Sequence, residues 1–447
     1  MILHAETALL AGGWAKNVRL AMMGGQIASL ETDVAAKPTD ERASIIVPAM
    51  PNLHSHAFQR AMAGMVETRG STADSFWSWR TLMYRFALTI TPDQMEAVAA
   101  QLYMEMLETG FGRVGEFHYL HHDKDGGHYA NIAELAERIA AAASQTGIAL
   151  TLLPVLYAHS GFGGQEPLDG QRRFINSTDS FARLVDGCVD AVATLPNSVV
   201  GVAPHSLRAV TPEELVIAAQ LAPSAPLHIH IAEQVKEVED CVAWSGRRPV
   251  QWLLDTNDVT DRWCLIHATH MTLEETTGVA KAGAVAGLCP VTEANLGDGT
   301  FAAPEFLAAG GVFGIGSDSN VLIGVGDELR QLEYSQRLSQ RARNVIAPAN
   351  GSTGRTLFDG ALSGGAQALG VKAGIVEGQA ADIVSLDTSH APYLDKDHLL
   401  DGWIFGGLVK PDTVWIHGKA VVRNGRHVAR ETISSRFHKT MKELLSA

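Results

Sequence analysis

Eight short apolar runs, each followed by a segment with helical punctuation, recur across residues 45–316. They are Ile45–Met50, Arg113–Phe117, Leu150–Tyr157, Val199–Pro204, Leu227–Ala232, Cys264–Ala268, Ala284–Cys289 and Val312–Gly316. A strand that is apolar on both faces needs cover on both, which is the condition of a buried parallel sheet. The segments between them open as helices do. Thr91-Pro92 offers an N-cap followed by proline at the first helical position, and Gly110 closes the helix after Met95–Thr109. Thr211-Pro212-Glu213-Glu214 repeats that opening, and Thr272-Leu273-Glu274-Glu275 begins a third helix that runs to Lys281 before Gly283. Strand and helix alternating eight times predict an α/β fold of the (β/α)8 TIM-type barrel class.

The two ends break that rhythm. Residues 1–44 hold short strand-like pieces, Val18–Met22 and Ile27–Leu30, around Gly24-Gly25. Residues 372–447 hold Ile383–Leu386, Val414–His417 and Ala420–Val422, separated by Gly418-Lys419 and Asn424-Gly425 turns. These pieces predict a small β domain built from residues 1–47 and 372–447, with the barrel spanning residues 48–371.

Composition narrows the class of function. The chain is 46% hydrophobic and 19% charged, as ordinary soluble proteins are. A formal charge of −14 argues against a nucleic-acid partner, which needs clustered Lys and Arg. It also means that an anionic substrate requires specific arginines to overcome the overall field. The start, Met1-Ile2-Leu3-His4-Ala5-Glu6, lacks the basic and apolar regions of an export signal, and no apolar stretch is long enough to cross a bilayer. Cys188, Cys241, Cys264 and Cys289 are scattered and form no Cys-x-x-Cys pair. The expectation is a cytoplasmic protein with free thiols and no membrane partner.

Titratable residues collect at the carboxyl ends of the predicted strands, where barrels of this class build their active sites. Strand one leads to His54 and His56, strand two to Glu116, His118 and Tyr119, and strand four to His205. Strands five, six and eight lead to His230, His267 and Asp318. In extended backbone residues i and i+2 share a face, so His54 and His56 converge on one ion. His228-Ile229-His230 is a second His-x-His; His230 lies nearer the strand mouth and is the better ligand, with His228 as an interior, hydrogen-bonded histidine. An isolated His-x-His is often only a pair of exposed or core histidines, so the argument rests on the whole set. Asp318, in Gly314-Ile315-Gly316-Ser317-Asp318, suits both metal ligation and proton acceptance. Glu233 reaches over the same ion, its structural alternative being a helix-start carboxylate facing the macrodipole. His267 is placed to orient substrate or the attacking water. His121, His122 and His128 sit in a polar loop and are expected to be solvated. His270 is either a support or a helix-entry residue, and Cys289 a small buried hydrophobe.

These residues carry a family pattern. The chain resembles the amidohydrolase superfamily throughout: His-x-His on strand one, His on strands five and six, Ser-Asp on strand eight, and Gly378-Gln379-Ala380-Ala381-Asp382-Ile383-Val384 near its end. Within it the chain is similar to the N-formimidoylglutamate deiminases of histidine degradation. The matching segments are Pro51–Arg60, Gly115–His121, His205-Ser206-Leu207-Arg208, Leu227–Gln234 and Cys289–Gly299.

The resemblance implies one divalent metal ion, zinc in preference, held by His54, His56, His230 and Asp318, with iron also compatible with the donor types. Two-metal members place a lysine at the end of strand four, and Val199–His205 contains none. The implied reaction is hydrolysis of N-formimidoyl-L-glutamate to N-formyl-L-glutamate and ammonia. Asp318 accepts the water proton, His267 assists, and Glu233 carries a proton to the departing nitrogen. His205 acts as an electrostatic partner of the intermediate. For a small dianionic amino-acid derivative the carboxylate clamps are Arg80, in Trp77-Ser78-Trp79-Arg80, and Arg208, with Gln59 and Tyr119 as neutral partners. The alternative for Arg80 is a surface arginine stacked on an aromatic ring. Rival readings are a deaminase of a guanine-like purine ring, which favours aromatic and neutral groups over two arginines, and a non-catalytic relative that keeps the barrel as a scaffold. A homodimer is one assembly open to such a chain.

Overall fold

The barrel staves run as β1 (Met50–Ser55), β2 (Phe111–His118), β3 (Ala149–Leu156), β4 (Val199–Val200 with Ala203–Pro204), β5 (Leu227–Ile231), β6 (Trp263–His267), β7 (Val285–Leu288) and β8 (Val312–Ile315). The structure is a computed structural model that describes residues 1–69 and 76–446, without the side chains of residues 76–78, 81 and 82. Trp77 and Ser78, which precede Arg80, therefore lie outside the described side chains. Staves β1 to β4 pair in parallel, and so do β5 to β8. Isolated parallel bridges join the two sheets at both edges: Ser55 to Asp318 on one side, Val202 to Leu227 and Ser206 to His230 on the other. Every residue of β2 and β3 is buried, as staves with a filled interior and a helical coat require.

The predicted helix starts are capping boxes. Thr91 pairs with Gln94 at the head of Pro92–Glu108, Thr211 with Glu214 at Pro212–Leu221, and Thr272 with Glu275 at Leu273–Ala282. Gly283 ends the last of these in the left-handed region, at φ 74°.

The termini build one eight-stranded sheet. Its order is Arg426–His427, Lys419–Arg423, Lys410–Ile416, Ile383–Asp387, Glu41–Pro48, Ile2–Leu10, Gly13–Met23 and Gln26–Glu31. This corrects the first predicted stave. Ile45–Pro48 belongs to the terminal sheet, between Ile2–Leu10 and Ile383–Asp387, and the chain enters the barrel only at Met50. The switch is visible in two hydrogen bonds: the Ala49 N–H donates to the Asp382 carbonyl, the Met50 N–H to the Gly110 carbonyl. An uninterrupted apolar run serves two sheets in succession, and hydropathy cannot mark the change. Among the described residues no helix is long and apolar enough to cross a membrane.

Candidate active site

Staves β1 and β8 meet at their carboxyl ends, and this seam places the first polar groups. The Asp318 N–H donates to the His54 carbonyl at 2.9 Å, and the His56 N–H to the Asp318 carbonyl at 3.0 Å. The approach requires glycine at 316, where a Cβ would lie 2.8 Å from the His54 backbone N and O. Asn52 ties the seam: its Nδ2 donates to Ser317 Oγ at 2.7 Å, and its Oδ1 accepts the Ser317 N–H at 3.1 Å. Asn320 Nδ2 donates to the His56 and Asp318 carbonyls at 3.1 and 2.8 Å. Asp318 and Asn320 hold positive φ, 43° and 59°, a region that Asp and Asn tolerate better than most residues.

Four side chains converge above this seam. His54 Nε2 lies 3.2 Å from His56 Nε2 and 3.1 Å from His230 Nε2. Asp318 Oδ1 lies 3.1 Å from His56 Nε2 and 3.5 Å from His54 Nε2. On the far sides of two rings, His56 Nδ1 is 3.0 Å from the Phe117 carbonyl and His230 Nδ1 is 3.0 Å from the His205 carbonyl. A carbonyl only accepts, so both Nδ1 atoms donate and both Nε2 atoms face the cluster. Burial pulls the His54 pKa down to about 3 and that of His230 well below its ordinary range, so both rings are neutral. One proton on His54 Nε2 could satisfy only one of its two imidazole neighbours. Three imidazole nitrogens and a carboxylate oxygen, all within 4.8 Å of one another, are the donor set of a divalent cation, and these residues fit one.

His267 stands beside the cluster between two carboxylates. Its Nε2 is 3.8 Å from Asp318 Oδ2 and 3.8 Å from Glu233 Oε1. Burial alone would lower its pKa, yet Glu233, Glu293 and Asp318 outweigh burial and push it up to about 10. Burial pushes the Glu233 carboxyl up to about 7. Burial acts the same way on Asp318, but the His54 and His56 rings hold it well below the usual carboxylate range. His267 has φ 66°, a conformation uncommon outside glycine that collects at functional sites.

These groups open onto a cleft of about 560 Å³. Its lining includes His56, Gln59, Arg80, Tyr119, His205, Arg208, His230, Glu233, His267 and Asp318; His54 is fully buried behind them. The Gln59 amide donates to the Tyr119 hydroxyl at 2.9 Å. Arg208 is 6% exposed, and the buried Glu237 carboxylate faces it. The Arg80 guanidinium lies 5.3 Å from the Tyr84 ring centre, so it is stacked on an aromatic and lines the cleft as well. The His205 ring stands 4.9 Å from that of His230.

Four other residues singled out in the sequence, Glu116, His228, His270 and Cys289, have structural surroundings, whereas His118 is buried with its Nε2 unpartnered among the described residues. Glu116 accepts the Ala57 N–H at 2.7 Å and the Tyr103 hydroxyl at 3.0 Å. His228 is interior and donates to the Ala368 carbonyl at 2.7 Å. His270 donates to the Asp298 carbonyl at 2.8 Å, and Cys289 is fully buried. His121 and His122 correct an expectation: both are buried, donating to the Val155 and Ile175 carbonyls at 3.0 and 2.8 Å, and only His128 is solvated. Sequence reasoning passed over Tyr84, Tyr157 and Phe174, which also line the cleft. Tyr157 ends the third predicted strand, the same kind of position that singled out His205 and His230. Phe174 carried no comparable signal.

Residues 45–421 match the amidohydrolase family, and residues 1–44 match the N-terminal domain of formimidoylglutamate deiminase HutF. The chain belongs to the amidohydrolase family. It is 51% identical over 451 residues to the formimidoylglutamate deiminase of Pseudomonas aeruginosa, covering 99% of both chains. Among solved structures it is similar to an amidohydrolase from Brucella melitensis, with 64% identity, a TM-score of 0.98 and 99% coverage of each chain. A zinc-bound adenosine deaminase from Xanthomonas campestris shares the fold, with a TM-score of 0.81 at 21% identity over 100% of this chain and 98% of its own.

Proposed function

We propose that the chain hydrolyses N-formimidoyl-L-glutamate to N-formyl-L-glutamate and ammonia, the activity named in its Pseudomonas aeruginosa relative. The observation that carries this reading is the presence of two guanidinium groups, Arg80 and Arg208, in the cleft that also holds the His54, His56, His230 and Asp318 cluster. A purine-ring pocket has no use for two cations, whereas a substrate with two carboxylates does.

A single zinc ion held by those four residues would lower the pKa of water and act as a Lewis acid. The donor set favours zinc, and the absence of lysine from Val199–His205 favours one ion over two. The remaining roles belong to the chain itself. Arg80 and Arg208 hold the glutamyl carboxylates, with Gln59 and Tyr119 as neutral partners, so the formimidoyl carbon points toward Asp318 and Glu233. Asp318 takes a proton from the attacking water, and His267 orients that water. As the new C–O bond forms, the amidine carbon becomes tetrahedral, and His205 stabilises its charge. Glu233, raised by burial to about 7, delivers a proton to the terminal nitrogen. The C–N bond then breaks as the hydroxyl on that carbon gives up its remaining proton and becomes the formyl carbonyl; ammonia leaves, Asp318 and Glu233 return to their starting protonation states by exchange with solvent, and the nitrogen bonded to the glutamyl carbon stays. The four cysteines are buried and unpaired, in keeping with a reducing cytoplasm.

The test incubates zinc-loaded protein with N-formimidoyl-L-glutamate or guanine and measures ammonia and the acyl product. Ammonia with N-formylglutamate, lost in Asp318→Asn, is the expected result. Ammonia from guanine alone would overturn the two-arginine reading.

A further inference from the structure

We propose that Glu293 is a positioning residue that fixes the ring of His267 and decides which of its nitrogens faces the substrate; this rests on the role given to His267 above. Glu293 lies in the short helix Pro290–Leu296 that follows β7, and only 5% of it is exposed. Its Oε1 accepts the Cys289 N–H at 2.8 Å and lies 3.3 Å from His267 Nδ1. The contacts of His267 Nε2 with Glu233 and Asp318, at 3.8 Å each, are too long for hydrogen bonds. Among the described residues, Glu293 therefore makes the one hydrogen bond that holds this ring.

The consequence is a defined ring orientation. A carboxylate oxygen accepts from Nδ1–H, which turns Nε2 toward the two carboxylates and the cleft. Without that acceptor nothing described holds the ring against rotation about its side-chain torsions. Glu293 sits one helical turn beyond β7, and the ring that it orients is at the end of the neighbouring stave β6. A carboxylate from the next stave thus supports the histidine from behind, the arrangement by which histidines are oriented in acid–base sites generally.

The competing explanation is that Glu293 only caps its helix through the Cys289 N–H. Glu293→Gln separates the two: one oxygen, Oε1, meets both N–H groups, so the amide keeps an acceptor for the Cys289 N–H, which needs no charge, and loses the negative charge that strengthens the hold on the imidazole. The expected result is a fall in kcat on the order of 10²- to 10⁴-fold, with KM within about threefold and zinc content unchanged. In a His267→Asn background the same substitution is expected to change kcat by less than about twofold, because the group that it positions is gone. Wild-type kcat in the single variant, or a full additional loss in the double variant, would overturn the proposal. Wild-type kcat in His267→Asn alone would instead overturn the role given to His267, and the inference with it. Should Glu293→Gln not fold, Glu293→Asp, which withdraws the carboxylate by one methylene, is read by the same two criteria.

Discussion

Asp318 is joined to His54 twice: its N–H donates to the His54 carbonyl at 2.9 Å, and its Oδ1 comes within 3.5 Å of the His54 Nε2. The backbone contact explains the side-chain one. Once β1 and β8 pair, His54, His56 and Asp318 are brought together whatever they hold. The strands therefore assemble a set of lone pairs that face one another in a buried place, and a cation relieves that arrangement.

Metal removal should for this reason cost fold stability as well as activity. Zinc at about 100 times its dissociation constant stabilises a protein that binds it only when folded by about 2.7 kcal/mol. Chelation is expected to lower the Tm of the wild type and zinc to restore it. His54→Ala should show a Tm that responds to neither. A zinc-dependent Tm in that variant would place the ion elsewhere.

Arg208→Met tests substrate recognition. A buried charged hydrogen bond to a substrate carboxylate contributes about 1.5–3 kcal/mol, so KM is expected to rise on the order of 10- to 100-fold with zinc content unchanged. The substitution also removes the guanidinium that faces the buried Glu237, and the double variant Arg208→Met/Glu237→Gln controls for that loss. An unchanged KM would remove Arg208 from the binding site.

The fold class and the cluster were legible because their signals are local. Alternation of strand and helix is written in short windows, and the His54–His56 spacing carries its own geometry. What stayed illegible depends on contacts between distant segments. His121 and His122 look like loop histidines, yet both of their N–H groups donate to the carbonyl of Arg173, some fifty residues further on. Arg173 is itself fully buried and donates to the His122, Ala87 and Ile90 carbonyls. Similarly, Ile45–Pro48 reads as a barrel strand because nothing in its own residues reveals that Ile383–Asp387 pairs with it.

Asn52 shows what such a contact is worth. It lies 265 residues from Ser317 and satisfies both the hydroxyl and the N–H of that residue. Asn52→Leu preserves volume but strands a buried Ser317 N–H, a loss of about 1–3 kcal/mol. Asp318 follows Ser317 directly, so zinc affinity is expected to fall together with the urea midpoint. Stability lost with zinc affinity intact would show that the seam does not position the site.

The buried loop histidines predict a pH dependence whose sign is fixed. Burial, with His128 and Arg173 adding in the same direction against the Ile175 carbonyl and Asn176, lowers the His122 pKa from 6.5 to about 4. The folded state thus prefers the neutral ring. Its contribution to stability is complete above pH 6.5 and is lost as the pH falls toward 4, because the unfolded chain takes up the proton first. Across that window the loss is about 3 kcal/mol. His122→Gln keeps an N–H donor for the Ile175 carbonyl and does not titrate. Urea unfolding of both proteins at pH 7.5, 5.5 and 4.5 should show the wild type losing ground to the variant at each step downward. A constant difference between them would mean that His122 is already protonated, or already exposed, in the folded protein.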